Sequence, residues 1–181
     1  MNYKDEIKAI LFDYDGTLIN FDYTVTDYTI KALNELSKTD YKICLASGRP
    51  CYVALNAFKD VFKDARVDYI FGCNGSEMMN VKADKTDILF TLKAKEVRDI
   101  ASKLNTPYGV LGIYDGKQFL VNQEVDNPIL IDWMNKRWLT PKIYDFLSND
   151  KIRSKVLLIS DPKNRKYVDE LLNSVDLSAY N

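Results

Sequence analysis

A chain of 181 residues is long enough for one large domain or two small ones, and long enough to bury a core. Its formal net charge of -1 favours neither nucleic acid nor an anionic membrane as a partner, no apolar run reaches the ~18 residues of a membrane span, and Lys4, Asp5 and Glu6 leave no signal-peptide core. It has no histidine, which excludes Ser-His-Asp and Cys-His catalysis and His-ligated metals, and its three cysteines, Cys44, Cys51 and Cys73, suit reduced thiols in the cytoplasm.

The first element is the apolar run Ala9 to Phe12, of a length that predicts a buried strand. It ends in Asp13-Tyr14-Asp15-Gly16-Thr17-Leu18. In an open α/β sheet ligands bind beyond the carboxyl ends of the strands, so Asp13 and Asp15 are expected at the mouth of a site. Two carboxylates this close resist joint ionisation unless a cation or a shared proton relieves them, and a hard ion such as Mg²⁺ suits oxygen ligands. Gly16 allows the turn and brings backbone N–H groups near whatever the acids hold.

Thr26 is then the expected N-cap of a helix, with Val25 and Ile30 spaced as a hydrophobic staple and Ile30, Leu33 and Leu36 as its apolar stripe. Tyr41 to Ala46 reads as a second buried strand, ending in Ser47-Gly48-Arg49-Pro50. Ser47 is placed to offer an anion a hydroxyl and Gly48 a backbone N–H. Pro50 suits the first turn of a helix whose positive end also favours an anion. Val53, Ala54, Ala57, Phe58, Val61 and Phe62 give that helix its buried face. A cysteine-phosphatase loop is excluded, because it needs Cys-x5-Arg and only four residues separate Cys44 from Arg49; Cys44 is expected inside the strand. Val67 to Phe71 is a third strand, followed by the turn signal Asn74-Gly75. Strand and helix alternating in this way predict right-handed crossovers and a parallel sheet.

Near Lys82 the pattern changes. Asp87 to Leu92 reads as a short strand, and Ala94, Val97, Ile100, Ala101 and Leu104 line a helix. Val110 to Tyr114 and Gln118 to Val121 flank Asp115-Gly116, a hairpin signal. Asn127-Pro128 opens a helix carrying Ile129, Leu130, Trp133 and Met134, and Trp133 and Trp138 are expected in the core. Lys155 to Ser160 is a strand, and Asp161-Pro162 begins a last helix with Val168, Leu171 and Leu172 on its face. Helices on an antiparallel sheet predict α+β for this half.

The string Asp13-Tyr14-Asp15-Gly16-Thr17-Leu18 behind an apolar strand resembles the first motif of the haloacid dehalogenase (HAD) superfamily of phosphotransferases. Leu45-Ala46-Ser47-Gly48-Arg49-Pro50, one strand–helix unit later, resembles the second motif, in the form seen in Cof-type hydrolases, where an Asn-Gly like Asn74-Gly75 faces the substrate cleft. The resemblance implies an α/β fold: a Rossmann-like core, with its parallel three-stranded N-terminal half in residues 1–81, and an α+β Cof-type cap in residues 82–181. It implies a Mg²⁺-dependent phosphatase of small phosphorylated metabolites, sugar phosphates among them, working in the cytoplasm without nucleic acid or membrane. Asp13 would be the nucleophile and Asp15 the acid–base residue. Mg²⁺ would be held by Asp13 and the Asp15 carbonyl. Gly16, Thr17, Ser47 and Gly48 would bind the phosphoryl group, Asn74 and Gly75 would touch the substrate, and Arg49 would touch either the substrate or a neighbouring carboxylate.

The resemblance covers the whole chain, but not the whole family pattern. The family's third motif, a lysine, and its fourth, Gly-Asp-x-x-x-Asp, follow the cap. No Gly-Asp acidic cluster stands after residue 116, and Lys155 lies within a cap strand. A fragment, a truncated product and a chain completed by another copy all fit that pattern. The alternative is therefore a catalytically impaired, HAD-derived domain that binds a ligand or partner. An incomplete core would also leave the first strand with an open edge and favour self-association. A phospho-acceptor receiver domain is disfavoured, because Cys73-Asn74 stands where its acceptor aspartate is needed.

Overall fold

The computed structural model describes residues 7–20, 22–115, 118–137 and 139–180. The first strand, β1 (Ala9–Asp13), runs into helix α1 (Asp27–Leu36), strand β2 (Lys42–Ala46), helix α2 (Cys51–Val61) and strand β3 (Tyr69–Gly72). β1, β2 and β3 pair in parallel, with Leu11 beside Cys44 and Leu45 beside Ile70. The expected βαβαβ order thus produces a parallel sheet. Thr26 caps α1 as expected, its Oγ1 accepting from the Thr29 N–H at 3.1 Å. Leu33 is buried, and Val25, Ile30 and Leu36 pack at the edge of the same cluster. On α2 the residues Val53, Ala54, Ala57 and Phe58 are buried, and Ala54, Ala57 and Phe58 join Leu45 and Ile70 in one core cluster. Cys44 is buried too, as expected of it.

The sheet does not stop at β3. Strands β4 (Glu77–Asn80) and β5 (Lys85–Ile88) add to it as an antiparallel hairpin, giving the order β1-β2-β3-β4-β5 among the described residues. The strand expected at Asp87–Leu92 is therefore β5, shifted earlier and belonging to the first sheet. The turn between β4 and β5 is held by Asn80 Oδ1, which accepts from Ala83 N–H at 3.1 Å, and by Asp84 at a φ of 47°. The compact units divide between Phe90 and Thr91, and the boundary expected at 81/82 falls inside this hairpin.

One expectation for β1 is corrected. Its residues are not buried: Ile10 and Phe12 are half-buried and Leu11 is 58% exposed. Among the described residues β1 is an edge strand with β2 as its neighbour.

The second unit is α+β. Its elements are α3 (Ala94–Leu104), β6 (Val110–Asp115), β7 (Gln118–Val121), α4 (Pro128–Asn135), β8 (Pro141–Ile143), β9 (Val156–Ile159) and α5 (Arg165–Ser174). The sheet order is β8-β7-β6-β9, with β6 antiparallel to both its neighbours and β8 parallel to β7. The hairpin expected around Asp115 forms, although Gly116 lies outside the described residues. Ile100, Ala101 and Leu104 of α3 pack on Leu111, Ile113 and Leu120. Gly112 is required, since a Cβ there would lie 2.4 Å from the ring of Phe119 on the next strand. Asn127 caps α4 through Ile129 N–H, as expected. Leu130 and Met134 are buried and Trp133 half-buried, with the Arg137 guanidinium 4.3 Å from the Trp133 ring; Trp138 lies outside the described residues. The last helix begins later than expected. Asp161 caps a single turn, Pro162–Asn164, and α5 follows with Leu171 packed inward and Leu172 exposed. No helix among the described residues is long and apolar enough to cross a membrane.

Candidate active site

The carboxyl ends of β1, β2 and β3 stand side by side, and every residue expected at the site lies at these ends or on the three loops that leave them. Asp13 ends β1 opposite Ala46, its side chain exposed. Tyr14 N–H donates to the Ala46 carbonyl at 3.1 Å, which carries the parallel ladder into the loop. Ser47 follows at once and is buried, its N–H bonded to the Phe71 carbonyl at 2.9 Å. The loops after β2 and β3 are stitched together: Asn74 N–H donates to the Ser47 carbonyl at 3.2 Å, and Cys73 N–H to the Arg49 carbonyl at 2.8 Å. Asn74 and Gly75 turn at φ of 59° and 92°, so the Asn-Gly pair is a turn, as read. A Cβ at Gly48 would lie 2.9 Å from Asn74 Oδ1, so a side chain there would have to displace the Asn74 side chain.

The turn after β1 closes on itself. Leu18 and Ile19 N–H both donate to the Tyr14 carbonyl, at 3.2 and 3.1 Å, leaving the Asp15 carbonyl out of that pattern. Gly16 stands at φ 88°, a conformation that costs glycine little, and its N–H donates to the Ile19 carbonyl at 2.7 Å. The turn thus uses the Gly16 N–H internally. Thr17 is exposed at the crest.

Arg49 is the residue whose setting the sequence least revealed. It is 8% exposed, and its guanidinium grips Asp15 in a two-point fork, Nη2 donating to Oδ1 and Nε to Oδ2 at 3.2 Å. Its backbone N–H donates to Ser47 Oγ at 3.1 Å, and its guanidinium carbon stands 5.4 Å from the Tyr14 ring centre. Burial is the main reason the Tyr14 hydroxyl is pushed up to about 12, with Arg49 opposing that shift. Arg49 therefore meets a neighbouring carboxylate, one of its two expected roles.

The N-terminus of α2 was expected to favour an anion. It has one already, but from the protein: Glu77 of β4, 7% exposed, accepts the Cys51 N–H on Oε2 at 3.1 Å. This stands in for the side-chain cap that Pro50 cannot supply. Burial and then the Glu77 charge push the Cys51 thiol up to about 12, so Cys51 is a packed thiol and not a nucleophile. Glu77 was missed in the sequence; the available signal was its alternation with inward-facing Met79 on one strand.

The donor set suits a hard cation in part. Asp13 offers an exposed carboxylate and Asp15 a carbonyl, both oxygen. Among the described residues no group of three His, Cys, Asp or Glu side chains is gathered to complete a cage.

The family model of haloacid dehalogenase-like hydrolases matches residues 10–177. Putative phosphatase MG265 of Mycoplasma genitalium is 25% identical over 184 residues, covering 94% of this chain and 64% of its own length. Putative phosphatase YxeH of Bacillus subtilis is 24% identical over 162 residues, covering 87% of this chain and 59% of its own. The chain thus spans less than two thirds of either relative. Among solved structures, a haloacid dehalogenase-like hydrolase from Bacteroides thetaiotaomicron superposes with a TM-score of 0.72 at 21% identity, covering 92% of this chain and 63% of that one. The HAD subclass IIB sugar phosphatase BT4131 superposes with a TM-score of 0.70 at 20% identity, covering 93% and 65%. At such identities these structures establish the α/β fold.

Proposed function

This chain belongs to the haloacid dehalogenase-like hydrolase family, and on that premise we propose that it hydrolyses phosphomonoesters of small metabolites, sugar phosphates among them, through a phosphorylated Asp13. The observation that carries this reading is the exposed Asp13 carboxylate at the end of β1, one ladder step from buried Ser47. An Asp13 oxygen attacks phosphorus, the bond to the leaving oxygen breaks, and that oxygen takes a proton from the Asp15 carboxyl. Water then attacks the aspartyl-phosphate while the Asp15 carboxylate takes its proton, releasing phosphate and restoring Asp13. The Ser47 hydroxyl, the Gly48 backbone and the Thr17 hydroxyl line the space for the phosphoryl oxygens. Asn74, on the adjoining turn, faces the rest of the substrate. Mg²⁺, held by the Asp13 carboxylate and Asp15 carbonyl, supplies charge neutralisation for those oxygens when bound. Three cysteines without a disulfide support a cytoplasmic setting, and the β1 edge, open among the described residues, supports self-association.

The test is phosphate release from a panel of sugar and polyol phosphates, with and without Mg²⁺. The reading expects Mg²⁺-dependent turnover that drops by several orders of magnitude in Asp13→Asn. Asp15→Asn is expected to lose ~100-fold or more, the usual share of acid–base transfer. Full activity in Asp13→Asn contradicts the scheme. Ester binding without turnover favours instead a ligand-binding domain derived from the same family.

A further inference from the structure

We infer that Arg49 is a latch on Asp15, and that the acid–base residue must leave it before a proton can move. The inference rests on the phosphatase reading above. A general acid has to present a protonated oxygen to the leaving group within hydrogen-bond reach. In this structure both Asp15 oxygens face guanidinium N–H groups, Oδ1 toward Nη2 and Oδ2 toward Nε. An oxygen that carries the proton cannot also accept from such a donor along the same direction, so at least one arm of the fork has to open.

The structure also says which partner moves. Arg49 is 8% exposed, with its main chain held on both sides and its guanidinium over an aromatic ring. Its N–H goes to Ser47 Oγ, its carbonyl takes the Cys73 N–H, and its guanidinium lies over the Tyr14 ring. The Asp15 side chain is 41% exposed and sits on a turn. Asp15 therefore swings and Arg49 stays. Asp13 has no part in this fork, so the nucleophile remains available while the acid is withheld. The pairing spans 34 positions of sequence and joins the first motif to the second. When Asp15 has given its proton to the leaving oxygen both its oxygens can again accept from Nη2 and Nε, and the latch resets.

The consequence separates two classes of ester. A nitrophenolate departs without a proton, so its cleavage does not need Asp15 released. An alkoxide needs the proton, so its cleavage bears the cost of opening the fork. Comparing kcat/KM confines the measurement to steps up to departure of the leaving group, before the water step uses Asp15 as base. The experiment measures kcat/KM for p-nitrophenyl phosphate and for a primary alkyl phosphate, in the unaltered chain, in Arg49→Met and in Arg49→Lys. Methionine keeps the stem that covers Tyr14, and lysine keeps the charge but cannot make the fork. Because two substrates are compared on one preparation, the fraction of folded protein cancels. The latch predicts that the ratio of alkyl to nitrophenyl ester rises about tenfold in both variants, part of the 100-fold or more that a positioned acid supplies. An unchanged ratio, with both rates lowered together, means that Arg49 is packing and overturns the latch. A falling ratio means that Arg49 aids the acid and overturns it equally. An unaltered chain that cleaves neither ester takes down the phosphatase reading itself, and the latch with it.

Discussion

Asp13 and Asp15 are two residues apart and meet different surroundings, because the strand ends between them. Asp13 closes the ladder beside Ala46, and Asp15 lies in the turn, facing a guanidinium. The two carboxylates were legible because their spacing behind an apolar run is a local signal. The fork was not, since nothing near position 15 announces a partner on another loop. The glycines show the same division between local and distant causes. A Cβ on Gly72 would come within 2.6 Å of the Cys51 N and 2.8 Å of the Arg49 carbonyl, both backbone and both fixed at the start of α2. On Gly48 it would meet only the Oδ1 of Asn74, an exposed side chain free to swing. Gly72→Ala is therefore expected to lower unfolding free energy by about 2 kcal/mol or more, the cost of overpacking against an unyielding neighbour. Gly48→Ala should cost about 1 kcal/mol or less, with its effect on substrate affinity instead. Urea unfolding of the two variants checks this; equal losses would mean that the β2 loop is as rigid as the β3 strand.

Among the elements, α2 carries the most consequence for the site, since it starts directly after Ser47 to Pro50. Its apolar face was legible from spacing, but the Glu77 carboxylate at its start comes from a hairpin hidden in the polar stretch Asn80 to Asp87. The same blindness applies to β8, three residues exposed along their length and paired only through the backbone. The caps of α1 and α4 and the span of α3 were readable because each rests on neighbouring residues. β1 misled in the other direction: an apolar run reads as interior, but a strand at a sheet edge is covered only in part. Burial around α2 also sets an alkaline limit. The hydroxyls of Tyr14 and Tyr52 and the thiol of Cys51 are all pushed up to about 12, chiefly by desolvation. The ordinary values are 10.0 for tyrosine and 9.0 for cysteine, so the unfolded chain loses these protons first. Folding stability is therefore full below about 9 and falls as pH rises toward about 12, as the unfolded chain alone becomes ionised there. Urea midpoints measured across that window are expected to decline steadily; a flat profile would show that these groups are not buried as described.

The molecule consists of two compact units, and the expected site lies on the first, at the ends of three parallel strands. Its overall class was legible because alternating strand and helix signals fix a parallel sheet, whereas the position of the division was not, because a hairpin without apolar pattern prolongs the first sheet. The β1 edge exposes Ile7 and Leu11, at 47% and 58%. Light scattering is expected to show association that rises with concentration and is weakened by Leu11→Lys, a charge of the kind that protects natural edges. A chain that stays monomeric at every concentration contradicts this. The central claim is chemical, that Asp13 carries the phosphoryl group between the two halves of the reaction. Its most direct test is a rapid acid quench during Mg²⁺-dependent turnover of a sugar phosphate, followed by peptide mass analysis. The account predicts one phosphoryl group on Asp13, absent from Asp13→Asn, which also fails to release phosphate. A phosphoryl group on any other side chain, or turnover preserved in Asp13→Asn, would contradict it.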